Sequence, residues 1–163
     1  MLPISTQSPG GIPLLPALFT ATSALCVTGL SDVDVPTYWT PFGHVVIMFL
    51  IQIGGFGVMS FATLLSLRVM GKVSLGSRIT AATEAHGSVG GLRPLLRRVL
   101  ATGLVIEGIV MTALTIRLLT LGYSFGDSLW YGLFHAVSSF NNAGFSLFPG
   151  SMTPFVGDWG ICL

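Results

Sequence analysis

From Val35 to Leu67 the chain carries no Asp, Glu, Lys or Arg, a run of 33 residues. A helix needs about 20 apolar residues to cross the hydrocarbon of a bilayer. The run therefore predicts a spanning helix at Tyr38 to Met70, with its core from Val45 to Leu67. It stops at Arg68, Gly71 and Lys72, as a helix does on leaving the membrane on a basic side. A second span is predicted from Leu95 to Leu121. Pro94 opens it near N1, where the missing N–H of proline costs nothing, and Gly122 closes it. Composition agrees: 52% of residues are hydrophobic and 8% charged, against about 25% charged in soluble domains. Seven basic and six acidic residues are too few to clothe a soluble globule. A cytosolic enzyme and a disordered tail are therefore poor readings. A net charge of +1 gives no basic field for nucleic acid. Cys26 and Cys162 lie far apart without a CxxC partner, which suggests neither a disulfide framework nor a zinc site.

The charges are segregated. Arg68, Lys72, Arg78, Arg93, Arg97 and Arg98 crowd between the spans, whereas Asp32, Asp34, Glu107, Asp127 and Asp158 lie outside that block. The positive-inside rule puts the Lys72–Arg98 loop in the cytoplasm, with a small helix around Thr80 to His86 and both chain ends on the outer side. Nothing before Pro13 has the basic start and apolar core of a signal peptide.

Two further apolar stretches are too short or too broken to span: Ile12 to Leu30 and Ser128 to Phe145. They are also copies of one another. Leu18-Phe19-Thr20-Ala21-Thr22-Ser23-Ala24-Leu25-Cys26-Val27-Thr28-Gly29-Leu30 aligns without gaps to Leu133-Phe134-His135-Ala136-Val137-Ser138-Ser139-Phe140-Asn141-Asn142-Ala143-Gly144-Phe145, 115 residues later, with five of thirteen positions identical. Internal symmetry is a mark of channels and transporters. Each copy reads as a half-inserted helix followed by a glycine turn. The negative end of such a helix favours a cation. The turn that follows can present carbonyl oxygens in place of a hydration shell. Glycine reaches φ > 0 without a Cβ clash, which suits Val27-Thr28-Gly29 and Asn142-Ala143-Gly144 to that task.

At these residues the chain resembles the Trk/Ktr/HKT superfamily of potassium transporters. Thr22 to Leu30 is similar to its first filter loop, and Ser139-Phe140-Asn141-Asn142-Ala143-Gly144-Phe145 to its second. The run from Gln52 to Leu64 resembles the following helix of Ktr-type pore subunits. The resemblance implies an all-α membrane protein of helix–pore loop–helix repeats, of which about one and a half incomplete ones are present. Residues 1–71 would form an incomplete first repeat, 72–94 a basic cytoplasmic loop, and 95–163 an incomplete second repeat. It further implies filter glycines at Gly29 and Gly144, with the carbonyls of Val27, Thr28, Asn142 and Ala143 facing K+ or Na+ and Asn141 in the same filter turn. The implied activity is K+ uptake at the plasma membrane, with Na+ dependence in some members and no bound cofactor. The implied partners are membrane lipid, a second copy in a homodimer, and a cytosolic nucleotide-binding regulatory subunit. The family pore has four filter loops and this chain has two. The expectation is thus an internal piece of a longer protein, its pore completed by the remaining repeats or by other copies. The alternative is a non-conducting remnant or interaction protein of the same fold.

Plainer readings stand beside these. Gly29 and Gly144 could be ordinary turn glycines, and Asn141 and Asn142 a turn or cap rather than filter supports. Gly54, Gly55 and Gly57 read as close-packing positions between helices. Glu107 lies mid-span, where a charge is costly. A structural role and a place on the ion path both remain open for it, and Arg117 is about 15 Å away along the helix. Asp32 and Asp34 could concentrate cations at the outer mouth or simply face solvent. No HExxH or GxSxG occurs, so the chain is not read as an enzyme.

Overall fold

The computed structural model describes residues 5–6, 14–70, 92–158 and 161. The described residues are helical, with no strand beyond an isolated bridge between Thr6 and Trp39. Their order is α1 (Leu14–Leu25), a single turn α2 (Val35–Tyr38), α3 (Pro41–Met70), α4 (Leu92–Thr120) and α5 (Phe125–Phe140), followed by a 3-10 turn at Thr153–Phe155. The small helix expected at Thr80 to His86 and most of the basic loop lie outside the described residues.

Local chemistry sets the boundaries. The first span starts at Pro41, three residues later than the sequence predicts, because Pro41 disfavours a helical Thr40. The Thr40 hydroxyl instead accepts the Gly43 N–H at 3.3 Å, a cap on the new helix. The second span begins at Leu92, which leaves Pro94 in the first turn, where its missing N–H is harmless. Ser124 caps α5 by accepting the Asp127 N–H at 3.2 Å, and Asp127 stands favourably at the positive end of the helix dipole.

Two segments are long and apolar enough to cross a membrane, Pro41–Ala62 with 22 residues and Arg97–Thr120 with 24. At 1.5 Å per residue each is about 33 Å or longer. In the most apolar 18 residues of each, only 22% and 17% are buried, whereas a soluble core helix is mostly covered. Phe49, Ile53, Val58, Phe61, Val105, Ile109 and Ile116 all stand exposed, as side chains bathed in lipid do. The chain is an all-helical membrane protein.

The half-length helices pack against the spans: α1 lies on α3, α5 on α4, and α3 touches both α4 and α5. At the α4–α5 crossing, a Cβ on Gly132 would stand 2.5 Å from Thr115 Oγ1, so the backbones meet closely. The core sits between α1, α3 and α5. Ala24, Trp39, Ile47, Ile51, Phe134, Val137, Ala143 and Phe145 are buried together there. A second cluster of Leu118, Phe148 and Phe155 lies at the far end of α4.

Candidate functional site

The two glycine turns meet at the edge of this core, with Ala143 buried in it and Thr28, Asn142 and Gly144 exposed beside it. A Cβ on Gly29 would overlap the carbonyl oxygen of Ala143 and lie 3.3 Å from the Gly144 Cα. Gly29 and Gly144 therefore face each other across a contact of bare backbone.

The turns share one backbone, residue for residue. Val27 and Asn142 both have φ of 57°, Gly29 has 72° and Gly144 has 73°. These are the same two positions of the 115-residue repeat. The helix ends repeat as well. Thr28 N–H donates to Ser23 O at 3.0 Å, and Ala143 N–H to Ser138 O at 2.7 Å. Val27 N–H donates to Ala24 O at 3.3 Å, and Asn142 N–H to Ser139 O at 3.0 Å. These are the reversed bonds by which a helix closes on a left-handed residue. That residue is usually glycine, because a Cβ there costs about 1–2 kcal/mol. Here Val27 and Asn142 accept the strain and the glycine comes two positions later.

Two left-handed residues separated by one ordinary residue cancel the usual alternation of peptide groups, so consecutive carbonyls can face one side. The carbonyls of Val27, Thr28, Asn142 and Ala143 accept no hydrogen bond among the described residues. Free oxygens of this kind can replace the water shell of a cation.

The seats of the turns lie on α3, in adjacent residues. A Cβ on Gly54 would overlap the Leu25 carbonyl at the end of α1, and one on Gly55 would overlap the Asn141 side chain at the end of α5. Among the described residues Gly57 meets nothing within 4 Å, and the packing role read for the three glycines is seen at Gly54 and Gly55.

Asn141 does not line the turn with its side chain. It caps α5, and its Nδ2 donates to Val137 O at 2.9 Å, Glu107 Oε1 at 3.1 Å and Gln52 Oε1 at 3.2 Å. Glu107 is 6% exposed and turns inward from α4 to this group. It has no contact with Arg117, which instead forms a forked ion pair with Asp158 at 2.8 Å. Gln52 was passed over in the sequence. The available signal was that it is the single amide in the charge-free run.

Other polar groups brace the turns from behind. Ser138 Oγ donates to Phe145 O at 2.7 Å. His135 Nδ1 lies 2.7 Å from Tyr131 O, while its Nε2 accepts the Leu147 N–H at 3.3 Å and lies 3.1 Å from Ser146 Oγ. Since Nε2 is an acceptor, the proton sits on Nδ1 and the ring is neutral. Burial holds its pKa below the usual imidazole range, more than the Tyr131 bond raises it. Asp34 accepts the Thr37 hydroxyl at 2.6 Å, a bond that ties it to the start of α2.

Residues 3–161 match the family model described as TrkH, cation transport protein. The chain is 44% identical over 159 residues to the Ktr system potassium uptake protein B of Bacillus subtilis, covering 97% of this chain and 35% of that one. It is 39% identical over 161 residues to the protein of the same name from Vibrio alginolyticus, with 97% and 35% covered. To the potassium/sodium uptake protein NtpJ of Enterococcus hirae it is 36% identical over 152 residues, with 93% and 34% covered. The chain thus spans about a third of the length of these curated relatives.

Proposed function

We propose that this chain, which belongs to the TrkH family of cation transport proteins, supplies two filter loops to a pore that takes up K+ across the plasma membrane. The ion sheds water and is held by the main-chain oxygens of Val27, Thr28, Asn142 and Ala143, with Gly29 and Gly144 giving the backbone its turn. The observation that carries this reading is the repeated pair of left-handed residues at a 115-residue offset, with both glycines in contact. Unrelated turns 115 residues apart have no reason to copy each other's dihedrals and then pack backbone against backbone.

The rest of the coordination shell comes from further repeats or further copies, since two loops cannot encircle an ion. In this reading residues 1–71 and 95–163 are the two incomplete repeats. The 72–94 loop and its flanking arginines face the cytoplasm, and both ends of the chain lie outside. The names of the relatives, potassium uptake and potassium/sodium uptake, support K+ as the cargo with Na+ as a co-ion or competitor. The relatives are named as proteins of a Ktr system, which supports work alongside other components; in this reading those are a second copy in a homodimer and a cytosolic nucleotide-binding regulatory subunit.

The test is growth on low potassium of cells that lack their own uptake systems. The full polypeptide bearing this chain should restore growth, and Gly144→Ser should change the flux or the K+/Na+ preference. Unchanged uptake and preference in that variant would falsify the filter assignment.

A further inference from the structure

Gln52 takes no part in the coordination argued above, yet the second turn leans on it. Its Nε2 donates to both oxygens of Glu107, at 2.8 and 3.0 Å, while its Oε1 accepts from Asn141 Nδ2 at 3.2 Å. Glu107 Oε1 accepts from the same Asn141 nitrogen at 3.1 Å. Three helices, α3, α4 and α5, thereby close a ring of two amides and a carboxylate around the residue that precedes the left-handed Asn142.

We propose that Gln52 and Glu107 are positioning residues for cation selectivity at the second turn, acting through the Asn141 side chain. The proposal rests on the filter reading given above.

The ring fixes Asn141 in both directions. Its amide nitrogen faces three acceptors, so a flipped side chain would set oxygen against the Glu107 carboxylate. Its Oδ1 lies against Gly55, where any Cβ would overlap it. Asn141 is also the residue whose peptide leads into the strained Asn142, with φ of 57°. A side chain that can neither rotate nor withdraw holds that peptide, and hence the next two carbonyls, in one place. Cations that differ only in radius and hydration are told apart by the number and placement of such oxygens.

Among the described residues the first turn has no counterpart. The residue aligned with Asn141 is Cys26, which is exposed, and α3 meets that helix end through Gly54 rather than through a side chain. The clamp therefore makes the second loop the more discriminating of the two.

The experiment measures rubidium and sodium uptake by potassium-uptake-deficient cells expressing the full polypeptide bearing this chain. The variants are Gln52→Met, Glu107→Gln, the exchange Gln52→Glu with Glu107→Gln, and Gly144→Ser as a filter control. Losing buried hydrogen bonds of the ring, all three of Gln52's in Gln52→Met and one or more in Glu107→Gln, should lower the rubidium/sodium ratio about tenfold or more in each clamp single variant. The exchange restores two amides and one carboxylate and should return the ratio to within about threefold of the parent. A parental ratio in both clamp single variants, with Gly144→Ser altered, overturns the clamp and leaves the filter reading standing. A parental ratio in Gly144→Ser as well overturns the filter reading itself. If both clamp single variants fail to accumulate, the exchange variant decides. Recovery of protein and ratio together supports the clamp. Recovery of protein without the ratio, or of neither, overturns it.

Discussion

The turns after α1 and α5 have the same φ at equivalent positions, but different surroundings. Leu30 at the end of the first is 62% exposed, and its counterpart Phe145 is 4% exposed. In the first turn the braces are local: Ser23 and Thr28 share a hydroxyl–hydroxyl hydrogen bond at 2.9 Å. In the second the Thr28 position is Ala143, which has no hydroxyl, and Ser138 turns instead to the Phe145 carbonyl. Beyond that, the second turn draws on Gln52 and Glu107 from two other helices. The backbone of the turn is thus set by the short motif, whereas the stiffness of each copy is set by its neighbours.

The largest contrast should come from the glycines. Gly29→Ala meets both a left-handed φ and the Ala143 carbonyl. We expect a loss of about 3–5 kcal/mol and of uptake. Gly144→Ala has the same φ, but its nearest neighbour is the Gly29 Cα at 3.7 Å, so the loss should stay near 1–2 kcal/mol. Thermal unfolding of the purified protein in detergent, read beside rubidium uptake, checks this. Equal losses in the two variants would mean that the loops are not in contact.

The next contrast separates the residues that close the two helices. Asn141→Ala strips a donor from both Glu107 and Gln52 and should cost about 1–3 kcal/mol. Cys26→Ala, at the equivalent and exposed position, should stay within about 0.5 kcal/mol. A comparable cost at the two positions would erase the asymmetry between the turns.

Smaller still is the serine pair. Ser138→Ala leaves a buried carbonyl unpaired and should cost about 1 kcal/mol, with Ser23→Ala about half of that. Unfolding midpoints in the same detergent would show the order, and a reversed order would contradict the local-brace account of the first turn.

The weakest effect is a pH dependence confined to the second region. His135 is held neutral when folded, so the unfolded chain binds the extra proton first. Stability should therefore be fully present above about pH 6.5 and fall as pH drops below it. Replacing His135 by Gln should flatten the midpoint-versus-pH curve in that window. A curve that keeps its slope would place the titrating group elsewhere.

Much of this was legible before any coordinates. A charge-free run longer than a bilayer is thick pointed to a span, whereas the second, which holds Arg97, Arg98, Glu107 and Arg117, was read from an apolar stretch bounded by Pro94 and Gly122. The 115-residue repeat marked the paired turns and the positive φ of Gly29 and Gly144 in advance, because such a turn acts through its own backbone, whereas the left-handed φ of Val27 and Asn142 appeared only in the structure. Boundaries moved by a few residues where proline chemistry intervened, as at Thr40 and Pro41. Gln52 stayed hidden because an amide in an apolar run has no periodicity to announce its partner. Glu107 could be singled out by its cost, but its partners lie 55 and 34 residues away in the chain.

The sequence by itself determined the class of the molecule, the two spans and the paired turns, since each follows from local hydropathy or local backbone sterics. Only the tertiary structure decided that the two glycines touch, that Gly54 and Gly55 each seat a different helix end, and that Glu107 answers to the amides of Gln52 and Asn141. Those facts depend on which surfaces approach within a few ångströms, and distance along the chain carries no record of that.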